Sequence, residues 1–244
     1  MKLMTTLVAV CLAAPSTVLA LAGQSWKFEK APRDGLDDVT FPINMKNAPH
    51  KNGFYFAQSF WVSGLKHSCY IGIQPRYNSK GKTIVHGTFS SFQGGTTSRH
   101  PKCSNGADGK AGVSCSVDIE GDYSHTYNVT VEKSGERTWK GTLVDTVTGT
   151  ATTIGEWTLP AGSGKIKSQQ AGFIEYFPWN AHRHEPCDSL PKTEVTFFSP
   201  TSKTRGASGG SIPRTYEYGG HCVGKVNYSA KKVSSGWNIK LGFK

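Results

Sequence analysis

The chain has 244 residues, 36% hydrophobic and 18% charged, enough to bury a core in one all-β domain or in two smaller ones. Its 28 Gly and 12 Pro, without long runs of helix formers, exclude a helical bundle and favour short strands joined by tight turns. The formal net charge is +11, and residues 200–244 hold eight Lys or Arg against Glu217 alone, a net of +7. That excess favours an anionic partner or serves solubility alone, and no nucleic-acid motif accompanies it.

Residues 1–20 have the features of a secretory signal peptide. Lys2 precedes the apolar stretch LMTTLVAVCLAA, which is too short to span a bilayer. Two overlapping triplets fit the small-residue cleavage rule, so we expect the mature chain to begin near Leu21 or Gly23. No later segment is long and apolar enough to cross a membrane, and the sequence therefore predicts a secreted, extracellular protein.

Residues 21–50 contain Pro32, Pro42 and Pro49 and are predicted to form an irregular lead-in, with an early strand in the stretch DGLDDVTFPI. The first core strand follows in residues 52–64. A period of two places Phe54, Phe56, Phe60 and Val62 on one face and Tyr55, Ala57, Ser59, Trp61 and Ser63 on the other. Because both faces carry aromatic residues, this strand is either covered on both sides or lines a groove.

Further strands are predicted in residues 68–76, 82–93, 112–119, 126–132, 137–146, 150–160, 166–179, 192–200, 222–230 and 236–243. Residues 201–214 are predicted to be a polar Gly/Ser loop. The total of about ten to twelve strands, without an internal repeat or a break in composition, favours two packed antiparallel sheets in a single domain over residues 51–244.

Five cysteines remain once Cys11 leaves with the signal peptide, and an odd number implies one thiol outside the disulfides. Cys103 and Cys115 bracket a Gly-rich loop and are expected to pair. The two cysteines in polar, turn-like surroundings, Cys187 and Cys222, are expected to form the second disulfide. Cys69 lies in an apolar strand and is predicted to be a buried thiol.

Two sequons, at Asn128 and Asn227, are predicted glycosylation sites. In the strand around Asn128, the residues Tyr127, Val129 and Val131 are predicted to face inward and Asn128 outward, where a glycan is tolerated. Both sequons agree with secretion, although such triplets are also frequent by chance.

The segment from NGFYFAQSFWVSG to the Gly-x-Gln strand Ile71-Gly72-Ile73-Gln74, followed by IVHGTFSSFQ and IGEWTLP, resembles a secreted family known as domain of unknown function 3472. The likeness runs from about Gly53 to Lys244. It implies a concanavalin-like, jelly-roll β-sandwich and a cell-wall or extracellular carbohydrate context. It implies no catalytic residues, and lectins, hydrolases and lyases share such a fold.

The segment FPWNAHRHEPC contains two histidines, His182 and His184, which would share one face of a strand and could bind a metal. The third ligand would come from elsewhere, and Pro178 and Pro186 favour a loop over a strand. The alternatives are a polar loop held near the Cys187 disulfide and a substrate-facing acid/base pair. We predict no metal or other cofactor, and a rim loop whose His182, Arg183 and His184 contact a ligand.

Two enzyme hypotheses remain open. A lyase on an acidic glycan needs a cation to neutralise a carboxylate and a group that moves a proton, and the candidates are Gln74, Arg76, His86 and Tyr176. A hydrolase needs two carboxylates about 5 to 10 Å apart across a sugar. The strand-borne acids that could supply them are Asp118, Glu120, Glu156 and Glu175, which are equally consistent with exposed charges on strand faces.

A binding role needs only exposed aromatic residues and polar groups that fix sugar hydroxyls. Trp61 and Trp179 are the predicted ligand-binding aromatic residues, although most tryptophans in such a fold belong to the core. The sequence therefore favours a monomeric, secreted protein that binds extracellular or cell-wall polysaccharide, acidic polysaccharide included. The rivals are a carbohydrate-active enzyme and a basic secreted effector acting on a host or competitor surface.

Overall fold

The computed structural model describes residues 20–181, 185–218 and 220–243, which form fifteen strands and two short 3-10 helices, Phe177–Ala181 and Cys187–Ser189. The signal peptide predicted for residues 1–20 lies outside this part except for Ala20. The strands are β1 Ala20–Lys27, β2 Asp38–Asn44, β3 Phe54–Phe60, β4 Cys69–Pro75, β5 Ile84–Ser91, β6 Cys103–Ala107, β7 Lys110–Glu120, β8 Thr126–Lys133, β9 Thr138–Asp145, β10 Ala151–Thr158, β11 Gln169–Tyr176, β12 Thr193–Phe198, β13 Ser211–Glu217, β14 Ser229–Val233 and β15 Gly236–Leu241.

The strands form two antiparallel sheets that pack face to face, so the prediction of a β-sandwich is confirmed. The eight-stranded sheet has the order β13-β1-β11-β3-β4-β5-β7-β6, and the seven-stranded sheet has the order β10-β9-β8-β2-β12-β15-β14. Both orders cross over repeatedly in sequence, which is consistent with a jelly-roll type. No helix in the described residues is long and apolar enough to span a bilayer.

The core lies between the sheets, where alternate residues of each strand point inward. Phe54, Phe56 and Phe60 of β3 are fully buried, as the alternation predicted. The inward positions predicted for β8, Tyr127, Val129 and Val131, are likewise inaccessible to solvent.

An aromatic stack joins the two sheets through the core. The ring of Phe89 on β5 lies 6.3 Å from that of Phe60 and 4.4 Å from that of Trp157 on β10. We expect Phe89→Ala to lower the free energy of unfolding by about 3–5 kcal/mol, because it leaves a cavity in a filled layer. Urea titration measures this, with Tyr77→Ala as the control because the Tyr77 side chain is 64% exposed. Equal losses in the two variants would contradict the assignment of Phe89 to the core.

The prediction of an irregular lead-in over residues 21–50 is wrong where it covers β1, which is an interior strand of the eight-stranded sheet, whereas the early strand predicted in DGLDDVTFPI is present as β2. Pro42 lies within β2, where it has no N–H to offer a second neighbour. The neighbouring segment, β12 and the residues after it, makes no ladder pair at Pro42. β12 pairs with Ile43 and Asn44, and the contact resumes only at an isolated bridge between Thr40 and Thr201.

Two other segments predicted to be loops are strands in the structure. The end of the Gly/Ser segment 201–214 enters β13, which pairs with β1 along the sheet edge. The Gly-rich segment between Cys103 and Cys115 is a hairpin of β6 and β7 whose two-residue turn is Asp108-Gly109. Both turn residues have positive φ, at 48° and 71°, the conformation that a tight hairpin requires.

Both predicted disulfides are present, Cys103–Cys115 and Cys187–Cys222. Cys69 is the free, buried thiol that the sequence predicted, and burial raises its pKa to about 12. The sequons stay predictions. Asn128 is partly buried in β8, whereas Asn227 is exposed and its side chain donates a hydrogen bond to the carbonyl of Gly242.

Candidate functional site

An open cleft of about 320 Å³ lies on the outer face of the eight-stranded sheet. It is floored by the alternate residues of β3, β4, β5, β7 and β11 that point away from the core, and we call it the polar cleft. The turn of the β6–β7 hairpin and the 3-10 helix after β11 supply its walls. Its lining residues are Tyr55, Tyr70, Gln74, Arg76, His86, Thr88, Ser90, Asp108, Ser114, Glu175, Phe177 and Asn180.

A row of side chains crosses the floor of the polar cleft from β11 to β7. Glu175 pairs with Tyr55, Gln74 pairs with His86, and His86 pairs with Asp118. The pairing of Phe56 with Ile73 brings Tyr55 beside Gln74 and closes the row. Since neighbouring strands lie about 4.8 Å apart, Glu175 and Gln74 are separated by about 10 Å at their Cα atoms, with their side chains on one face.

Aromatic rings form the floor beneath this row. Tyr55 packs edge-on against Tyr70 and Phe173, with ring centroids 5.5 and 5.7 Å away, and Tyr70 also packs against Phe92. Tyr55 is buried and its hydroxyl accepts a hydrogen bond from Thr88 at 2.6 Å. Burial raises the pKa of Tyr55 and of Tyr70 far above the usual range, so both hydroxyls stay protonated and cannot act as bases.

Glu175 is the buried carboxyl group of the polar cleft, and its side chain accepts a hydrogen bond from the Asn180 amide. Burial raises the pKa of Glu175, the Asn180 bond opposes that rise, and the charge of Asp108 adds to it. A desolvated carboxyl in a cleft, with a perturbed pKa, is a candidate for acid/base chemistry.

A basic end of the cleft lies beyond Gln74. The His86 ring is held by Asp118, with 2.6 Å between Nδ1 and Oδ1. Burial and the charge of Arg76 lower the pKa of His86, against the opposing effect of Asp118. His86 is therefore neutral at pH 7, and Arg76 supplies the positive charge at this end.

The hairpin turn reaches the cleft through one hydrogen bond. Tyr70 donates its hydroxyl to Asp108 Oδ2 at 2.6 Å. The base of the same hairpin is fastened by the Cys103–Cys115 disulfide. The hairpin therefore places a second carboxylate, that of Asp108, in the wall of the cleft. Asp108 is not part of the row of side chains that crosses the cleft floor.

The structure brings together three of the four predicted catalytic candidates, Gln74, Arg76 and His86. Tyr176 is not with them, so the prediction that it shares one site with the other three is wrong. It follows Glu175 on β11, and the strict alternation of a strand turns it to the opposite face. There it packs against Phe54 and Trp179.

The predicted ligand-binding residues are dispersed. Trp61 is 43% exposed but does not line the polar cleft, and Trp179 is only 5% exposed because it packs into the core. Trp179 is therefore not part of the polar cleft, and its role in ligand binding stays a prediction. His182, Arg183 and His184 lie outside the described residues.

Of the acids considered for a hydrolase, Glu175 lines the cleft, and Asp118 adjoins it through His86. Glu120 is exposed and paired with Lys82, and Glu156 lies at a separate 430 Å³ cavity beside residues 97–101. Sequence reasoning did not identify Tyr70 or Asp108 as cleft residues. Tyr55 lies on the strand that was predicted to be covered on both sides or to line a groove, because both of its faces carry aromatic residues.

Metal-type ligands converge at one place in the described part of the chain, where Cys187, His221 and Cys222 lie together. The two cysteines are bonded to each other, so their thiolates are not available to a metal. A single histidine remains, which is too few ligands for a structural or catalytic zinc site.

The raised pKa of Glu175 predicts a pH-dependent cost to stability. The folded protein holds this proton more tightly than the unfolded chain, whose pKa is near the ordinary 4.5. The protonated Glu175 carboxyl therefore makes its full contribution to the stability of the fold below about pH 4. That contribution is lost as the pH rises through the raised pKa of Glu175 in the folded protein. We expect Glu175→Gln to stabilise the protein relative to wild type at pH 7 and to change it little at pH 4.

Urea titrations at the two pH values measure this difference. Glu120→Gln is the matched control, because its side chain is 65% exposed. An equal loss of stability at both pH values in the Glu175 variant would contradict the burial of an ionisable carboxyl.

No protein-family model and no curated protein matches the chain. The solved structures similar to it include scytalido-glutamic peptidase with a transition state analog inhibitor, at 13% identity and a TM-score of 0.45. SCP-B, a member of the eqolisin family of peptidases, in a complex with the tripeptide Ala-Ile-His, is similar at 12% identity and a TM-score of 0.42. Each comparison covers 93% of this chain and 100% of the other. Likeness at this level carries no argument about function, and the resemblance to domain of unknown function 3472 stays a prediction.

Proposed function

We propose that the protein is a hydrolase that cleaves peptide bonds in the polar cleft, with Glu175 as the acid/base group and Gln74 as the donor to the carbonyl oxygen. The observation that carries this proposal is the burial of the Glu175 carboxyl on the floor of an open cleft, in one row with the Gln74 amide. The solved structures named above are peptidases, but the support for this reaction here is the geometry of these two side chains.

The chemistry needs one carboxylate and one amide. Ionised Glu175 accepts a proton from water as the water oxygen attacks the carbonyl carbon. The oxygen of that carbonyl gains negative charge and accepts a hydrogen bond from the Gln74 side-chain amide. Glu175 then returns the proton to the leaving nitrogen, the C–N bond breaks, and the products are a carboxylic acid and an amine.

Glycoside hydrolysis is less well supported by the same side chains. It needs two carboxyl groups that flank the scissile bond and share the acid and base roles. Asp108 and Asp118 are the other carboxylates near the cleft, and they are bonded to Tyr70 and His86. A lyase on an acidic glycan would need a base that removes a proton from a sugar carbon. Burial holds the two cleft tyrosines protonated, so that base would have to be Glu175 or His86.

Carbohydrate binding without turnover is the second candidate. It is favoured by the exposed ring of Trp61, which is available for stacking, and by the hydroxyl and amide groups of the polar cleft. Secretion belongs to both proposals. Two disulfides are compatible with an oxidising compartment. The monomeric state and a polysaccharide partner remain predictions.

One panel separates the candidates. The protein is incubated across pH 3–8 with a denatured protein, neutral and acidic polysaccharides and matching oligosaccharides, and both retention and products are measured. Peptide products that disappear in Glu175→Gln support the hydrolase. Retention on a polysaccharide with no product from any substrate would replace it with the binding role, and unsaturated sugar products would replace it with a lyase.

A further inference from the structure

The basic end of the polar cleft contains a cation whose charge no described side chain neutralises at hydrogen-bonding distance. The Arg76 guanidinium donates through Nη1 to the carbonyl of its own neighbour, Pro75, at 3.1 Å. Among the described residues, no carboxylate lies within ion-pair distance of it. The nearby Asp118 is bonded to His86 at 2.6 Å. A guanidinium has five N–H donors, so most of them remain for a ligand.

The position of Arg76 is fixed by its backbone. Its N–H donates to the hydroxyl of Tyr123 at 2.8 Å, and that hydroxyl in turn donates to the carbonyl of Ile84 at 2.9 Å. The Tyr123 ring stacks on His50 with 4.2 Å between ring centroids. The side chain is therefore presented from a braced strand end, not from a loose loop.

We propose that Arg76 forms a subsite for a carboxylate side chain of the substrate, so that the polar cleft selects peptides with an acidic residue near the scissile bond. This inference rests on the proposed peptide hydrolysis. Arg76 is half-buried and lines the cleft beside Gln74. A bidentate guanidinium–carboxylate pair at such a position is stronger and more specific than an exposed ion pair.

The strand spacing gives the substrate position. Gln74 and Arg76 are two residues apart on one face of the chain, about 7 Å between Cα atoms. An extended peptide repeats its own side chains on one face at the same interval. The acidic residue is therefore expected about two positions from the residue whose carbonyl contacts Gln74.

A scanned peptide series tests the subsite. Each position within three residues of the cleavage site carries either Glu or Gln, which differ in charge but hardly in shape, and kcat/KM is measured near pH 6, where a Glu side chain is ionised. We expect Glu to exceed Gln by about 10-fold or more at one position, two residues from the scissile bond, as charge-assisted pairs allow. Arg76→Gln brings this ratio to about one, and Arg76→Glu brings it below one.

Lys82→Gln is the matched control, since Lys82 is an exposed cation in the turn before β5 that pairs with Glu120 outside the cleft. It should retain the wild-type ratio. Equal ratios in wild type and Arg76→Gln would overturn the subsite, as would a ratio that Lys82→Gln lowers as much.

Equilibrium binding separates this inference from the proposed reaction. The Glu and Gln peptides are titrated calorimetrically into the Glu175→Gln protein. Tighter binding of the Glu peptide, lost in the Glu175→Gln/Arg76→Gln double variant, supports the subsite even where wild type cleaves nothing. Cleavage by wild type without any charge preference in rate or binding overturns the subsite alone. Binding of an oligo-uronate but of neither peptide would overturn the assignment to a peptide side chain.

Discussion

Glu175→Gln should lower kcat/KM for a cleaved peptide by about 10²- to 10⁴-fold, the range that a positioned acid/base group contributes. The substitution keeps the side-chain shape and its capacity to meet Asn180, but it removes the group that accepts and returns the proton. Initial rates of peptide cleavage at saturating and limiting substrate give kcat and KM separately. We expect the loss to fall on kcat.

Glu120→Gln is the control for Glu175→Gln, because it removes a carboxylate from the same sheet at an exposed position. A loss below about 3-fold in Glu175→Gln, or a comparable loss in both variants, would show that the proton transfer occurs elsewhere.

The pH profile of the same reaction carries a second signature of Glu175. Activity requires the ionised carboxylate, so the rate should rise with pH through a pKa above the ordinary 4.5. Burial is the main cause of that elevation and the charge of Asp108 adds to it. Asp108→Asn should therefore shift the acidic side of the pH–rate profile to lower pH. An unchanged profile would show that the Asp108 charge does not affect the pKa of Glu175.

Gln74→Leu should lower kcat by about 10²- to 10³-fold with a much smaller effect on KM, as the loss of one oxyanion donor does. The reason is that the hydrogen bond from the Gln74 amide to the carbonyl oxygen is strongest when that oxygen carries negative charge, in the transition state. Steady-state kinetics measures the split, and circular dichroism and urea titration show whether the fold is retained.

Gln170→Leu is the control for Gln74→Leu, since Gln170 donates to the carbonyl of Trp61 at the far end of β11. A change confined to KM in Gln74→Leu would make Gln74 a substrate-binding residue only. No change in either parameter would remove it from the site.

The strands with clean alternation could be predicted, and the reason is visible in β3 and β8. Their inward residues are mostly large and apolar, with the buried Gln58 of β3 as the polar exception, because two packed sheets bury the inner face of each strand. β1 and β13 could not be predicted in the same way. β1 places the polar Gln24 on the core face beside Trp26, and β13 is an edge strand with mostly polar residues.

The candidate site was predictable only in part. Gln74 and Arg76 are two apart in the predicted strand 68–76, so the sequence alone places them on one face. Whether they lie near His86 and Glu175 depends on which strands are neighbours in the sheet. The order β11-β3-β4-β5 cannot be inferred from the spacing of residues in the sequence. The prediction for Tyr176 was wrong because this residue is the immediate neighbour of Glu175 on β11. Consecutive side chains of a strand point to opposite faces of the sheet.

The burial of Glu175 has the same origin. Several acids lie on strands and look alike in sequence, and the distinguishing feature of Glu175 is the aromatic floor that Tyr55, Tyr70 and Phe173 build beside it. These three residues come from three different strands, so the desolvation that raises the pKa of Glu175 exists only in the folded sheet.

The most direct measurement of the proposed chemistry is mass spectrometry of peptide products formed in ¹⁸O-labelled water by wild type and by Glu175→Gln in parallel. Hydrolysis in the polar cleft predicts one ¹⁸O atom in the new carboxyl group of each N-terminal fragment formed by wild type, no label in the C-terminal fragment, and an almost complete loss of both fragments in the variant. Labelled product formed equally by both proteins, or no peptide product from wild type under any pH of the panel, would contradict it.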